Sequence, residues 1–95
     1  MQVGVCEVTL GLPGNRSLKD KRHVVRAVID RVTRRFRTNI AEVDCQDDHD
    51  RVVLGYAVVG NDPALIDARL REILEFIDDL CLAVLTEHQH EVIEW

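Results

Sequence analysis

Two histidines near the C-terminal end are the residues whose spacing most directly suggests chemistry. His88 and His90 alternate along the chain, so on a β-strand both imidazoles would share one face and could bind one metal ion. A third ligand would have to come from an acidic turn, through Asp47 or His49. Two alternating histidines alone do not make a site, so we predict exposed sheet histidines, no metal ligands and no cofactor.

The three cysteines, Cys6, Cys45 and Cys81, are the candidates for a nucleophile or a disulfide. They are odd in number, far apart and set among apolar or strand-like neighbours, which is typical of small buried hydrophobic residues in a reducing compartment. A catalytic thiol needs a base and an electropositive site, and neither lies nearby in the sequence. No Ser–His–Asp or Cys–His arrangement can be recognised, so we name no catalytic residue and favour a non-enzymatic function.

Cationic side chains are concentrated in one segment of a chain whose net charge is −5. Residues 16–37 contain nine of the twelve Lys and Arg residues and two of the seventeen acids, a charge of +7. The rest of the chain has three cations and fifteen acids, a charge of −12. This segregation produces a dipolar surface in any fold. With only two Phe, one Tyr and one Trp, recognition by base stacking is not expected.

Hydrophobic periodicity predicts the elements that carry these residues. Residues 2–12 alternate as a first strand, which a Pro-Gly pair ends. Ser17 resembles a helix N-cap, and the helix that it opens runs for about five turns and ends near residues 35–37. The apolar face of this helix consists of Leu18, Val25, Val28, Ile29, Val32 and Phe36.

The middle of the chain predicts a hairpin. Residues 39–46 alternate as a half-exposed strand, the polar stretch "DDHD" at 47–50 forms a turn, and residues 51–60 return as a nearly continuous apolar strand.

A second helix and a last strand complete the pattern. Asn61 or Asp62 caps the helix and Pro63 lies in its first turn, while residues 82–95 alternate loosely as a strand. The apolar face of the helix is formed by Leu65, Ile66, Leu70, Ile73, Leu74, Ile77 and Leu80.

The predicted order β-α-β-β-α-β is that of a ferredoxin-like sandwich, an α+β fold with two helices on one face of a four-stranded antiparallel sheet. We predict a single such domain over residues 1–95. The other sheet face is left open, and alternation places Val3 and Val5 on it. An open face with valines is a candidate homodimer surface.

The N-terminal sequence "MQVGVCEVTL" bears on localisation. It has no positively charged lead-in and no long apolar run. We therefore expect no signal peptide, no membrane span and a cytoplasmic protein.

The stretch "LPGNRSLKDKRHVVRAVIDR" resembles the "LPGxRSLKxKRxVV" signature of the small bacterial YlxP-like proteins, and "NIAEVDCQD" with "VLGYAVVGND" resembles their second and third strands. The resemblance extends over roughly residues 2–80. It implies a family of unassigned function, whose genes often lie beside those for translation initiation and ribosome-binding factors. The "DDHD" turn departs from the family, which commonly has an apolar or aromatic pair there.

These observations lead to a hypothesis for the basic segment. The cations of the first helix lie opposite its apolar face, along about 27 Å of helix at 1.5 Å per residue, which suits a nucleic-acid backbone. Residues 14–17 could add a phosphate site at the helix N-terminus, but the spacing of a nucleotide-binding P-loop is absent. The predicted RNA- or anion-binding residues are Arg16, Ser17, Lys19, Lys21, Arg22, Arg26, Arg34 and Arg37.

The predicted partner is ribosomal RNA or the small ribosomal subunit, contacted through phosphates, without DNA sequence readout. Three alternatives stay open. The cationic side of the first helix could be solvated and paired with the acidic second helix. The protein could be a homodimeric adaptor that uses Val3 and Val5. A metal-dependent enzyme is less favoured than either.

Overall fold

The chain has the β-α-β-β-α-β order that the sequence predicts. A computed structural model describes residues 1–95. Its elements are β1 (Gln2–Gly11), α1 (Leu18–Phe36), β2 (Ile40–Asp44), β3 (Arg51–Gly60), α2 (Pro63–Asp79) and β4 (Val84–Glu94).

The four strands form one antiparallel sheet in the order β2-β3-β1-β4. Both helices pack on the same face of this sheet, where Cys6, Val8 and Leu10 of β1 join the apolar sides of α1 and α2 in one core. Because side chains alternate along a strand, the odd-numbered residues of β1 point to the opposite face. The ferredoxin-like architecture is therefore confirmed, with one face of the sheet left uncovered by the helices.

Local signals fix both ends of α1. The Ser17 hydroxyl accepts a hydrogen bond from the Asp20 amide at 3.3 Å, which caps the N-terminus. At the other end Arg37 adopts the left-handed conformation, with φ of 53°, and its amide donates to the Thr33 carbonyl at 2.8 Å. Between these caps Val25, Val28, Val32 and Phe36 form the buried stripe. The predicted start and length of this helix are confirmed, and so is its apolar face apart from Leu18, which is not part of the core cluster.

The second helix confirms the predicted cap and corrects one position. The Asp62 carboxylate accepts from the Ala64 amide at 2.9 Å, with Pro63 at the first helical position. Leu65 was expected on the apolar face, but it is 67% exposed. At 100° per residue it lies about 110° from the middle of the stripe, which is formed by Ile66, Leu70, Ile73 and Ile77. Neither α1 nor α2 combines the length and apolar composition that crossing a membrane requires.

The N-terminal end of α2 lies very close to the sheet. A Cβ atom at Gly60 would be 2.8 Å from Ile66 Cδ1, and one at Gly4 would overlap the Ile66 side chain. Glycines in β1 and β3 therefore let Ile66 reach the sheet.

Only one of the three cysteines is buried as the sequence predicts. Cys6 lies in the core, Cys45 is half-buried, and Cys81 is exposed in a left-handed conformation just beyond α2. All three are free thiols. Burial was expected from apolar neighbours, but Cys45 and Cys81 lie in loops, where neighbouring residues do not determine which way a side chain points.

Candidate nucleic-acid interface

The face of α1 that points away from the sheet is rich in cations, with the exposed Asp30 as an acid among them. The Lys and Arg residues of this face occupy positions outside the buried stripe, so their side chains point to solvent. The exposed members are Arg16, just before the helix, with Lys19, Arg22, Arg26, Arg31, Arg34, Arg35 and Arg37, and we call these eight residues the basic face.

No residue of the basic face makes an ion pair within 4 Å. In contrast, each of the three cations outside the segment has a carboxylate partner: Arg51 at 3.8 Å, Arg69 at 3.3 Å and Arg71 at 2.8 Å. The pairing of the basic face with the acidic second helix, one of the alternatives from the sequence, does not occur. The carboxylates of α2 that take part in ion pairs bind cations of α2 itself or His90 of β4.

Lys21 was predicted to bind an anion, and the structure contradicts this. Its side chain is buried, with 1% of the residue exposed. The ammonium lies 2.8 Å from a Glu42 carboxylate oxygen and donates to the Cys45 carbonyl at 2.6 Å. Lys21 thus joins the first turn of α1 to the end of β2, and no phosphate can reach it from solvent. Lys21 is buried because it lies four residues before Val25 and therefore on the buried stripe of α1.

The residues expected to form a phosphate site at the N-terminus of α1 take part in hydrogen bonds within the protein. The Ser17 hydroxyl and the Asp20 amide are bonded to each other as the cap. The Asn15 amide donates to the Leu12 carbonyl at 3.1 Å. Among the backbone N–H groups of residues 14–17 that of Asn15 is therefore engaged, and Ser17 serves as the helix cap, while its anion-binding role stays a prediction.

The same loop instead anchors the β2–β3 turn. The Asn15 side chain donates to the Ser17 carbonyl at 3.1 Å and to the His49 carbonyl, while His49 Nδ1 lies 2.7 Å from the Asn15 carbonyl oxygen. The acidic turn is held against the start of α1 by these bonds, and His49 serves in this attachment.

The two histidines of β4 share a face as predicted. The rings of His88 and His90 stack with centroids 6.0 Å apart, and His90 Nε2 lies 3.3 Å from an Asp67 carboxylate oxygen. His49 belongs to the turn beside β2, and β2 and β4 are the two outer strands of the sheet. No group of three or more His, Cys, Asp or Glu side chains is arranged to hold a metal ion.

Titratable groups in the core are not prepared for nucleophilic chemistry. Burial raises the pKa of the Cys6 thiol, which keeps it protonated. Burial also raises the pKa of Tyr56, whose hydroxyl donates to the Leu70 carbonyl at 2.9 Å. Both groups are structural in this environment.

The uncovered sheet face carries apolar residues, as the alternation of β1 predicts. Val3 is half-buried and Val5 is 38% exposed, and Val59 and Ile93, both register partners of Val3, are 62% and 41% exposed. Of these residues only Val3 and Val5 were predicted to lie on this face. The partners could have been found from the same alternation once the strand register was known.

Residues 3–90 match the model of a family described as a protein of unknown function, DUF503. The chain is a member of the DUF503 family. One relative is the uncharacterized protein YlxP of Bacillus subtilis (strain 168). It is 36% identical over 62 residues, which cover 65% of this chain and 67% of that protein. The YlxP-like resemblance drawn from the helix motif is confirmed.

Solved structures similar to this DUF503 chain share its fold. One, from Chloroflexus aurantiacus J-10-fl, is assigned as an antibiotic biosynthesis monooxygenase, with a TM-score of 0.55, 15% identity and coverage of 100% of this chain and 95% of that one. Another is a REP-associated tyrosine transposase bound to a REP hairpin, with a TM-score of 0.51 and 17% identity, covering 97% of this chain and 56% of that one. At such identities the likeness concerns the architecture alone, which serves unrelated functions.

Proposed function

We propose that this protein is a non-enzymatic RNA-binding protein that contacts the small ribosomal subunit through the basic face of α1. The proposal rests on which Lys and Arg side chains have a carboxylate partner in the protein. Eight exposed cations have no carboxylate partner, whereas every Lys or Arg outside residues 16–37 has one. Intramolecular ion pairs do not account for the basic face, and a polyanion would supply the missing partners.

The dimensions of the basic face favour a nucleic-acid backbone over a small anion. From Lys19 to Arg37 the helix extends about 27 Å, at 1.5 Å per residue. Cations spread over this length can neutralise several phosphates and release their counterions, which is the main source of sequence-independent affinity. A single phosphate would leave most of them unpaired.

The mode of recognition follows from what the surface lacks. The basic face contains no aromatic side chain on which a base could stack. Double-helical RNA is recognised mainly by shape, phosphates and 2′-hydroxyls, because side chains cannot read its deep, narrow groove. The charge of −12 on the rest of the chain should limit indiscriminate binding. The choice of ribosomal RNA rests on what the YlxP-like resemblance implies about neighbouring translation genes.

The test is co-sedimentation of the purified protein with small ribosomal subunits at low and moderate salt. We expect salt-sensitive binding by the wild type and its loss in the triple variant Lys19→Gln, Arg22→Gln, Arg26→Gln. Each lost phosphate contact should reduce the salt slope by about one unit.

A matched variant separates the basic face from net charge. Gln46→Glu, Asn61→Glu and Ala68→Glu change exposed residues elsewhere and lower the net charge by the same three units. This control should bind like the wild type apart from a small, uniform weakening. Equal loss in both triples, or no binding by the wild type, would contradict the proposal.

A homodimeric adaptor that uses Val3 and Val5 is the second candidate, favoured by the apolar residues of the uncovered sheet face. Its support is weaker, because exposed carboxylates lie on the same face. Light scattering distinguishes it directly, since an adaptor of this kind must have twice the monomer mass of 10.8 kDa.

A further inference from the structure

The uncovered face of the sheet is the second surface without a partner. Four of the large exposed hydrophobic side chains lie on it: Val5 (38% exposed), Val43 (48%), Val59 (62%) and Ile93 (41%). Val3 lies between Val59 and Ile93 in the register. Exposed apolar residues grouped on one face are typical of interaction surfaces.

Short side chains make the middle of this face concave. Gly55 and Ala57 of β3 lie beside Ala41 of β2, and a Val43 methyl group comes within 3.0 Å of the position that a Cβ of Gly55 would take. The resulting trough has a volume of about 830 Å³. A trough of this size accepts several side chains of a docked segment.

The charges around the trough are negative. Glu7 and Glu91 line it, both are exposed, and neither makes an ion pair. Arg51 is the one Lys or Arg in the four strands, and it lies 3.8 Å from Glu87. The free charge of this face is therefore acidic.

This charge decides between the possible occupants. In a twofold dimer each copy presents the same patch, so two sets of unpaired carboxylates would be desolvated in one interface. Burying charges without partners is strongly unfavourable, and like charges add repulsion. A partner with its own cations pairs with these carboxylates, so that they are neither buried without a partner nor placed against like charges. The same partner can cover the valines.

We propose that the uncovered face docks a basic segment of a partner protein. Aliphatic side chains of the segment cover Val5, Val43 and Val59, and its Lys or Arg side chains pair with Glu7 and Glu91. The docking surface lies on the side of the sheet opposite the basic face of α1. It is independent of the proposed RNA contact, and both can be occupied at once.

The experiment is isothermal titration of the full chain with two synthetic peptides. The probe is Ac-KVKLKVKLK-amide, and the matched peptide Ac-EVELEVELE-amide has Glu at each Lys position. We expect saturable binding of the first peptide only. The double variant Glu7→Gln, Glu91→Gln should weaken it at least tenfold, while Glu75→Gln, Glu94→Gln, which removes two exposed carboxylates elsewhere, should leave it within twofold.

A second pair of variants tests the apolar part of the contact. Val59→Ser should weaken peptide binding several-fold, whereas Leu65→Ser, at a residue of similar exposure on α2, should not. Absence of binding, or equal effects of a test variant and its control, would overturn the proposal. So would light scattering that shows a wild-type dimer dissociated by Val59→Ser, because the occupant would then be a second copy of this chain.

Discussion

Replacing Lys21 by Met should destabilise the fold by about 3 kcal/mol, because it breaks a buried ion pair. The Lys21 ammonium is 2.8 Å from Glu42 and 2.6 Å from the Cys45 carbonyl, and methionine keeps the aliphatic length but supplies neither contact. Losing one partner of a buried pair costs about 3–5 kcal/mol, and we take the lower end because the Glu42 side chain is 21% exposed and can be partly rehydrated. For a domain of this size the loss corresponds to about 12–24 °C in Tm.

The assay is urea and thermal unfolding followed by far-ultraviolet circular dichroism. Lys19→Met, at an exposed neighbour, is the control and should stay within about 0.5 kcal/mol of the wild type. Glu42→Gln should also destabilise, and the double variant Lys21→Met, Glu42→Gln should lose about 2 kcal/mol less than the two single variants together. If Lys21→Met unfolds like Lys19→Met but loses RNA binding, the ammonium is a phosphate ligand and the buried pairing is refuted.

Three further substitutions test particular contacts. Ser17→Ala should cost about 1 kcal/mol in urea unfolding by removing the α1 cap. Gly60→Ala should cost about 1–3 kcal/mol because its Cβ would lie 2.8 Å from Ile66 Cδ1, and a smaller added loss when Gly60→Ala is made in an Ile66→Val background, which lacks that Cδ1 atom, would confirm that cause. The Arg71 guanidinium lowers the pKa of Asp67, so this carboxylate stabilises the fold above its unfolded pKa near 3.8, and the contribution is lost as pH falls through the folded value. Arg71→Gln should return the Asp67 pKa, measured by NMR titration, toward 3.8 and weaken the loss of stability in acid.

The elements were predictable because their signals are local. Capping by Ser17 and Asp62 and the two hydrophobic periods depend only on neighbouring residues. Leu65 was misplaced because an apolar residue at the edge of a stripe can fall on either side, and the close packing of Ile66 on the sheet settles it.

The buried pair was missed although the sequence contains its signal. Lys21 continues the stripe of Val25 by four residues, and Glu42 lies two residues after Ile40, on the same face of β2, where Ile40 packs against the core. Opposite charges at two core-facing positions indicate a buried ion pair. The ion pair was missed because every cation of the segment was expected to face solvent. The exposed sheet partners of Val3 could not be predicted, because they depend on the strand register, which no local pattern specifies.

The separation of charge between the segment that contains α1 and the rest of the chain also has a kinetic consequence. The segment that contains α1 carries +7 and the rest of the chain −12, so the molecule has a strong electric dipole in addition to its net charge. Near a polyanion the external field exerts a torque on this dipole, which turns α1 toward the target before any contact forms. A larger share of diffusive encounters then begins in a productive orientation, and the association rate constant should fall as added salt shortens the Debye length toward about 8 Å at 0.15 M.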